Sequence, residues 1–245
     1  MTPEAGGPTG AGGKPTKLGY LIGAVMALLI IAGVYLALTA GGNEDPGAAH
    51  LATPSSGSTN GVQPDERIGT KVAVGSFDLR TTSRAAGCRV ELNLPEEGND
   101  HLTRDDPVPD YGTVPPTSGD HIGPPLQQAD GAYAESPLPQ DVVHSLEHGR
   151  VAIQYDPDLP EKDQLALKGL YDSAFSAALL FPNPDMPFAA AATGWASLIA
   201  CPDWQGAKTI DAIRAFAIET QNKAPEPLDL FPPTEGPKFM DLGQG

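Results

Sequence analysis

The chain has 245 residues, with 31 acidic and 15 basic side chains and a formal net charge of −16 at neutral pH. This charge argues against nucleic-acid binding and against a polybasic grip on anionic lipid, because both need clustered lysine and arginine. Glycine (28) and proline (26) together make up about a fifth of the chain. They concentrate at the ends and in loops, so the expected ordered core is smaller than the length allows.

The N-terminal residues predict a single membrane span. Residues 1–17 are rich in Gly, Pro, Thr and Lys and are predicted to be a disordered tail. Residues 18–40 carry no charge. As a helix rising 1.5 Å per residue they would extend about 34 Å, enough to cross a bilayer. A signal peptide would have an apolar region of only about 7–15 residues, so cleavage after the span remains the alternative.

Charges on either side of the apolar run predict its orientation. Lys14 and Lys17 precede it, and Glu44 and Asp45 follow it. Basic residues flanking a span stay in the cytoplasm. We therefore expect a single-pass cell-membrane protein that contacts the lipid bilayer through residues 18–40. Its N-terminus would be cytoplasmic and its C-terminal part extracytoplasmic.

Beyond the span, composition divides the chain into three segments. Residues 41–70 are rich in Gly, Ser, Thr and Pro and are predicted to be a flexible stalk. Residues 71–226 carry the apolar patterning of a globular domain. Residues 227–245 are again rich in Pro and Gly and are predicted to be a loose tail.

Hydrophobic periodicity and breaker residues predict an α/β (or α+β) domain, with a small mixed sheet covered by two or three helices. The predicted elements, in chain order, are a weak strand at 72–74, a strand at 88–94, a long irregular loop at 99–139, a short helix ending at Gly149, a strand at 151–155, a helix at 161–178, a buried strand from 188 to about 195, and a helix at 209–222.

Four of the five histidines lie within the long loop and the short helix that follows it. His144 and His148 are four residues apart, so a helix would place them on one face, a spacing that suits a metal ion. The loop delivers His101 and His121. Imidazole ligands favour copper or zinc, and we expect these four histidines to hold one such ion. Glu147 lies about 100° around the helix from His148, which suggests that its carboxylate holds one ring nitrogen of a metal-binding histidine and does not bind the ion itself.

Cys88 and Cys201 are the only cysteines. Both follow the predicted span, and an oxidising location would make a disulfide the default. It would close a loop of more than about 100 residues, which the chain-entropy model values at up to roughly 4–5 kcal/mol. No Cys-x-x-Cys spacing suggests redox exchange.

Two strings carry a family resemblance: Pro-Pro-Thr-Ser-Gly-x-His, ending at His121, and Val-His-Ser-Leu-Glu-His-Gly, ending at Gly149. With Cys88, Tyr155 and Trp195 they resemble a bacterial domain-of-unknown-function family, number 3105, over roughly residues 71–226. The resemblance implies a membrane-anchored, exported domain. It assigns no activity.

Three alternative interpretations of these residues remain open. The histidines could form a structural polar network in a non-catalytic adaptor that meets an unidentified envelope protein. His144-x-x-Glu147-His148 also matches an inverted zinc-peptidase pattern, which would need a longer helix and an acidic ligand such as Glu219 or Glu226. A serine nucleophile at Ser118 is less favoured, because the chain lacks a Gly-x-Ser-x-Gly elbow.

Overall fold

A computed structural model describes residues 59–73, 75–174 and 177–227. The predicted tail and span, residues 1–40, lie outside these ranges, as do most of the stalk and residues 228–245. No helix within the described ranges combines the length and apolar character that crossing a bilayer requires. All the described residues belong to one compact unit.

The described residues contain eight strands and four helices. The strands are β1 (Arg89–Leu92), β2 (His101–Leu102), β3 (His121–Ile122), β4 (Gly131–Ala132), β5 (Val151–Tyr155), β6 (Ala178–Pro182), β7 (Ala190–Gly194) and β8 (Ser197–Cys201). The helices are α1 (Leu79–Ala86), α2 (Pro139–Glu147), α3 (Glu161–Ala174) and α4 (Ala207–Thr220).

Six strands form a mixed sheet in the order β1–β8–β7–β5–β6–β4. Strand β6 is parallel to both β4 and β5, whereas β5–β7, β7–β8 and β8–β1 are antiparallel. Helix α3 makes the crossover that a parallel β5–β6 pair requires. Strands β2 and β3 form a separate parallel pair. The expected mixed sheet in an α/β domain is therefore confirmed, with four helices instead of two or three.

Apolar side chains cover the large sheet on both faces. Val151 and Ile153 of β5 pack with residues of α3 and α4, including Leu167 and Phe216. The intervening Ala152 faces the other cluster, which includes three residues of α2. Every residue of β5 is buried. A strand covered on both faces shows a continuous apolar run, which explains the pattern at 151–155.

Helix α2 starts at Pro139, the last residue of the predicted loop, because proline suits the first helical position. As predicted, the helix stops just before Gly149. That residue has φ +82°, a left-handed conformation that glycine adopts readily. A Cβ on Gly149 would also come within 2.9 Å of the Asn222 backbone, so the close approach of the C-terminal segment needs glycine here as well.

Several element predictions were wrong. The predicted helix at 161–178 ends by Ala174, and residues 178–182 form β6, which pairs with β5. The buried strand predicted up to Trp195 is the first arm of a hairpin whose second arm, β8, was missed. Residues 72–73 form no strand.

Helix α1 was not predicted, because its sequence, Leu-Arg-Thr-Thr-Ser-Arg-Ala-Ala, is mostly polar. Its ends are specified by capping. Asp78 accepts a hydrogen bond from the Thr81 backbone N–H at 2.7 Å, and Gly87 closes the helix at φ +69°.

The predicted disulfide between Cys88 and Cys201 is present. Arg89 pairs with Ala200 in the antiparallel β1–β8 ladder, so the next pair along the two strands is Cys88 and Cys201. The bond therefore fastens edge strand β1 to the sheet at the start of the strand.

Residues 59–70, placed in the stalk by their composition, lie against the domain. The Asn60 side chain donates to Asp141 Oδ2 at 2.9 Å, and the Asp65 N–H donates to the Ala132 carbonyl at 2.8 Å. The folded part therefore reaches back at least to Asn60.

Candidate metal centre

His101 and His121 are directly paired in the parallel β2–β3 ladder. The ladder is closed by backbone bonds on either side, from the His121 N–H to the Asp100 carbonyl and from the Gly123 N–H to the Leu102 carbonyl. The two imidazole centroids lie 5.1 Å apart. The His121 side chain is fully buried, whereas that of His101 is 45% exposed. The two imidazoles therefore extend from the solvent-exposed surface to the buried interior.

Helix α2 supplies the other side of the site. His144 and Glu147 are three residues apart, which makes them neighbours on a helix surface. Both are buried, at 0% and 1% exposure. An unpaired buried carboxylate is costly, so the surroundings of Glu147 bear directly on what the site does.

Four side chains converge here. His101, His121, His144 and Glu147 each offer one ligand atom, and these atoms all lie within 4.8 Å of one another. Glu147 Oε2 is 3.0 Å from His121 Nε2 and 3.8 Å from His101 Nε2. The imidazole centroid of His144 is 5.0 Å from that of His121 and 5.5 Å from that of His101.

Three buried atoms of this cluster have no hydrogen-bond partner among the described residues: His121 Nε2, His144 Nδ1 and Glu147 Oε2. His121 Nδ1 lies 2.8 Å from the Gly119 carbonyl oxygen, which can only accept, so Nδ1 carries the ring proton. In the neutral ring, the lone pair of Nε2 then faces the carboxylate oxygen. With a neutral ring, two buried acceptors face each other at 3.0 Å, and either a proton or a metal ion between them would pair both.

Burial is the largest cause of the low pKa of His144; together with the neighbouring His121, His148 and His101 it lowers the pKa to about 3, while the Ile122 backbone carbonyl has the opposite effect. His144 is consequently a neutral imidazole at physiological pH. A neutral ring nitrogen is the form that binds a metal ion.

His148 is the C-cap residue of α2 and lies beside the cluster. Its Nε2 is 3.0 Å from His144 Nε2, and its Nδ1 is 2.9 Å from the Glu226 carbonyl oxygen. His148 also belongs to a second possible group, with Glu147 and Glu226. The carboxylate of Glu147 is common to both groups.

Arg104, just after β2, fastens the histidine-bearing loop to α2. Its guanidinium donates to both oxygens of Asp141, at 2.6 and 2.9 Å. Burial raises the pKa of Asp141, while Arg104 and Asn60 counteract that effect. Trp195, at the β7–β8 turn, lies against His121, with the two ring centroids 6.2 Å apart and the rings nearly perpendicular.

The structure brings together three of the four histidines predicted as ligands and places the fourth, His148, against His144. Sequence reasoning missed the position of Glu147, which lies among the ring nitrogens. The spacing of His144 and Glu147 puts them on neighbouring positions of one helix face, but only the fold shows that His121 meets this face.

The geometry gives little support to the two hydrolase alternatives. Glu226, but not Glu219, comes near His148, and Glu219 pairs with Lys223 at 2.7 Å. The Ser118 hydroxyl is buried and accepts from the Glu97 N–H at 3.1 Å. Ser118 is therefore a structural residue of the loop.

Comparison with known families agrees with the resemblance seen in the sequence. Residues 101–229 match the family described as "Protein of unknown function (DUF3105)", and this match spans just over half of the 245 residues. It begins at His101, the first residue of the cluster, and contains all four cluster residues. No curated protein and no solved structure matches the chain. The chain belongs to the DUF3105 family.

Proposed function

We propose that this protein binds one transition-metal ion, copper or zinc, through His101, His121, His144 and Glu147. The observation that carries the proposal is that His121, His144 and Glu147 lie close enough to share one ion and that each has a buried atom without a hydrogen bond. Buried polar atoms are nearly always paired, and a metal ion is one of the few partners that could pair several such atoms at one place.

A proton could neutralise only part of this cluster. One proton on His121 Nε2 would pair with Glu147, but it would leave His144 Nδ1 unpartnered. A metal ion accepts all four ligand atoms at once, since Zn²⁺ and Cu²⁺ bind imidazole nitrogen and carboxylate oxygen. A purely structural network of the same residues would instead be expected to pair its buried acceptors with donors.

The donor set limits the chemistry. Both cysteines are joined in the disulfide, so no thiolate takes part. Three imidazoles and one carboxylate suit zinc or copper(II) better than the soft copper(I) ion. His101 is the most exposed of the four, so ions would enter on its side of the site.

We further propose that a single span at residues 18–40 anchors this domain to the cell membrane and that the domain lies outside the cytoplasm. The uncharged run, the lysines before it and the acidic residues after it support this topology. The disulfide supports an oxidising compartment. A reporter active only outside the cytoplasm, fused after residue 227, should be active. Activity of a cytoplasm-only reporter at that position would refute the topology.

The metal proposal is tested by titrating full-length protein, prepared without a histidine tag, with Zn²⁺ and Cu²⁺. Wild type should bind one ion, and His121→Ala should lose it. His50→Ala is a matched control, because it removes a histidine that is not among the proposed ligands and should leave binding unchanged. Equal binding by wild type and His121→Ala would refute the site.

A further inference from the structure

The hydrogen bonds of His148 fix the position of its ring proton. Nδ1 is 2.9 Å from the Glu226 carbonyl oxygen. A carbonyl oxygen only accepts, so Nδ1 of His148 must carry hydrogen. In the neutral ring, Nε2 of His148 is then an acceptor.

This assignment determines the tautomer of His144. The two Nε2 atoms are 3.0 Å apart, so the bond between them requires His144 Nε2 to donate to His148. A neutral His144 that carries its proton on Nε2 has a bare Nδ1. That atom is buried and makes no hydrogen bond of normal geometry. The Ile122 backbone carbonyl also lies near the His144 ring, so an Nδ1–H tautomer donating to it is the alternative that the spectra described below test.

We infer that His148 is a positioning residue: it holds His144 in the Nε2–H tautomer and thereby presents Nδ1 of His144 as the metal ligand. This inference rests on the metal site proposed above. In it, His148 contacts the ligand His144 but does not contact the ion. Metal-binding histidines commonly donate their other ring N–H to a fixed acceptor, which sets the ring orientation and raises the basicity of the ligating nitrogen.

We call the chain of hydrogen bonds from His144 through His148 to the Glu226 carbonyl the relay. The Glu226 carbonyl at its end is itself held in place. The Asn222 N–H donates to the Gly149 carbonyl at 2.9 Å, and the Glu226 N–H donates to the Glu147 carbonyl at 3.2 Å. The C-terminal segment of residues 222–226 therefore lies across the end of α2. It carries the Glu226 carbonyl to His148 at the point where the helix leaves its last carbonyls unpaired.

A competing arrangement uses the second group, in which Glu147, His148 and Glu226 would hold another ion. Each ring nitrogen of His148 already has a hydrogen-bonding neighbour, so ligation would break one of these bonds. The relay therefore predicts one ion per chain, with no ligand from His148.

The tautomer can be measured directly on full-length protein labelled with ¹⁵N-histidine, which contains only five imidazoles. Long-range ¹H–¹⁵N spectra of the metal-free protein should show His144 as the Nε2–H tautomer. One equivalent of Zn²⁺ should shift its Nδ1 resonance while Nε2 keeps its proton. An Nδ1–H tautomer, or zinc bound through Nε2, would overturn the inference. The metal-free spectrum decides the relay even if wild type binds no zinc, an outcome that would refute only the proposed function.

Two substitutions separate positioning from ligation. In His148→Gln, the amide oxygen can still accept from His144 Nε2, although it is a poor ligand for zinc. This variant should keep zinc affinity within about threefold of wild type. His148→Leu removes the acceptor and should weaken binding by roughly 10–100-fold. Equal losses in both variants, or two zinc ions per wild-type chain, would show that His148 is a ligand.

Discussion

His121 and Glu147 come from a loop strand and a helix, yet Nε2 of one lies 3.0 Å from Oε2 of the other, with both atoms buried and no hydrogen bond between them. Groups held in this way make the metal-free fold less stable than a paired arrangement would, because each acceptor has lost its water. Such a cost is typical of a binding site whose ion restores the balance.

Glu147→Gln should therefore have opposite effects on stability and on metal binding. The new amide can donate to His121 Nε2, so the metal-free variant should gain about 1 kcal/mol in unfolding free energy. Zinc affinity should fall at least as much as in His121→Ala, since a charged ligand is lost. Chemical denaturation with a chelator present and zinc titration measure the two effects.

Glu219→Gln is the matched control for this substitution. It changes a carboxylate that is half exposed and paired with Lys223 on the surface. Neither stability nor zinc affinity should change by a comparable amount. A destabilised Glu147→Gln variant that keeps zinc affinity would mean that Glu147 has a structural role.

The salt bridge between Arg104 and Asp141 should affect stability and zinc affinity, although neither residue is a proposed ligand. Arg104→Ala frees the loop carrying His101 and leaves buried Asp141 without its guanidinium partner. We expect a stability loss of about 1–2 kcal/mol, limited because the Arg104 side chain is 35% exposed. Zinc affinity should fall severalfold. Arg89→Ala, which breaks the exposed pair with Glu91, is the control and should change neither quantity.

The local part of the site could be predicted from sequence. The helix stop at Gly149 and the shared face of His144 and His148 depend only on residues that are close together in the chain. The residue spacing therefore predicts both. The pairing of His101 with His121 requires a long irregular loop to fold back into a parallel ladder. No periodicity in the sequence predicts this pairing. The position of Glu147 among the ring nitrogens depends on the same contact between loop and helix.

The fold shows the same division. Strand β5 and helix α4 were predicted because long apolar patterns specify them. Strand β6 was not predicted, because a short run such as Ala-Leu-Leu-Phe fits either a helix or a strand until a partner strand is known. Helix α1 was missed because it is only eight residues long and mostly polar, and its ends depend on the caps at Asp78 and Gly87.

The low pKa of His144 predicts a pH dependence of stability in metal-free protein. The folded ring has a pKa of about 3, and the unfolded ring has the ordinary value near 6.5. Between these values the unfolded chain binds one more proton, so stability falls as pH drops. This group should contribute up to about 1.4 kcal/mol per pH unit.

The contribution of His144 can be isolated by comparison with His144→Gln. With chelator present, the stability difference between wild type and the variant should shift against wild type by roughly 2–3 kcal/mol between pH 7 and pH 4.5. Denaturation curves at several pH values measure it. A difference that stays constant with pH would show that His144 titrates normally.

The disulfide should stabilise the fold through β1. Reduction frees an edge strand and a loop that spans 113 residues in sequence. A typical loss of about 2–4 kcal/mol corresponds to a melting temperature lower by roughly 4–15 °C. Cys88→Ser with Cys201→Ser should melt like the reduced wild type and should not respond to reductant. Two free thiols in non-reduced wild type would contradict the bond.

X-ray absorption of zinc-loaded, full-length protein tests the central claim most directly. We predict a first shell of nitrogen and oxygen at about 2.0–2.2 Å, without sulfur at about 2.3 Å. Outer-shell scattering should correspond to three imidazole rings, and one ring should disappear in His101→Ala. A spectrum without imidazole scattering, or one that is identical in wild type and His121→Ala, would contradict a metal centre built from His101, His121, His144 and Glu147.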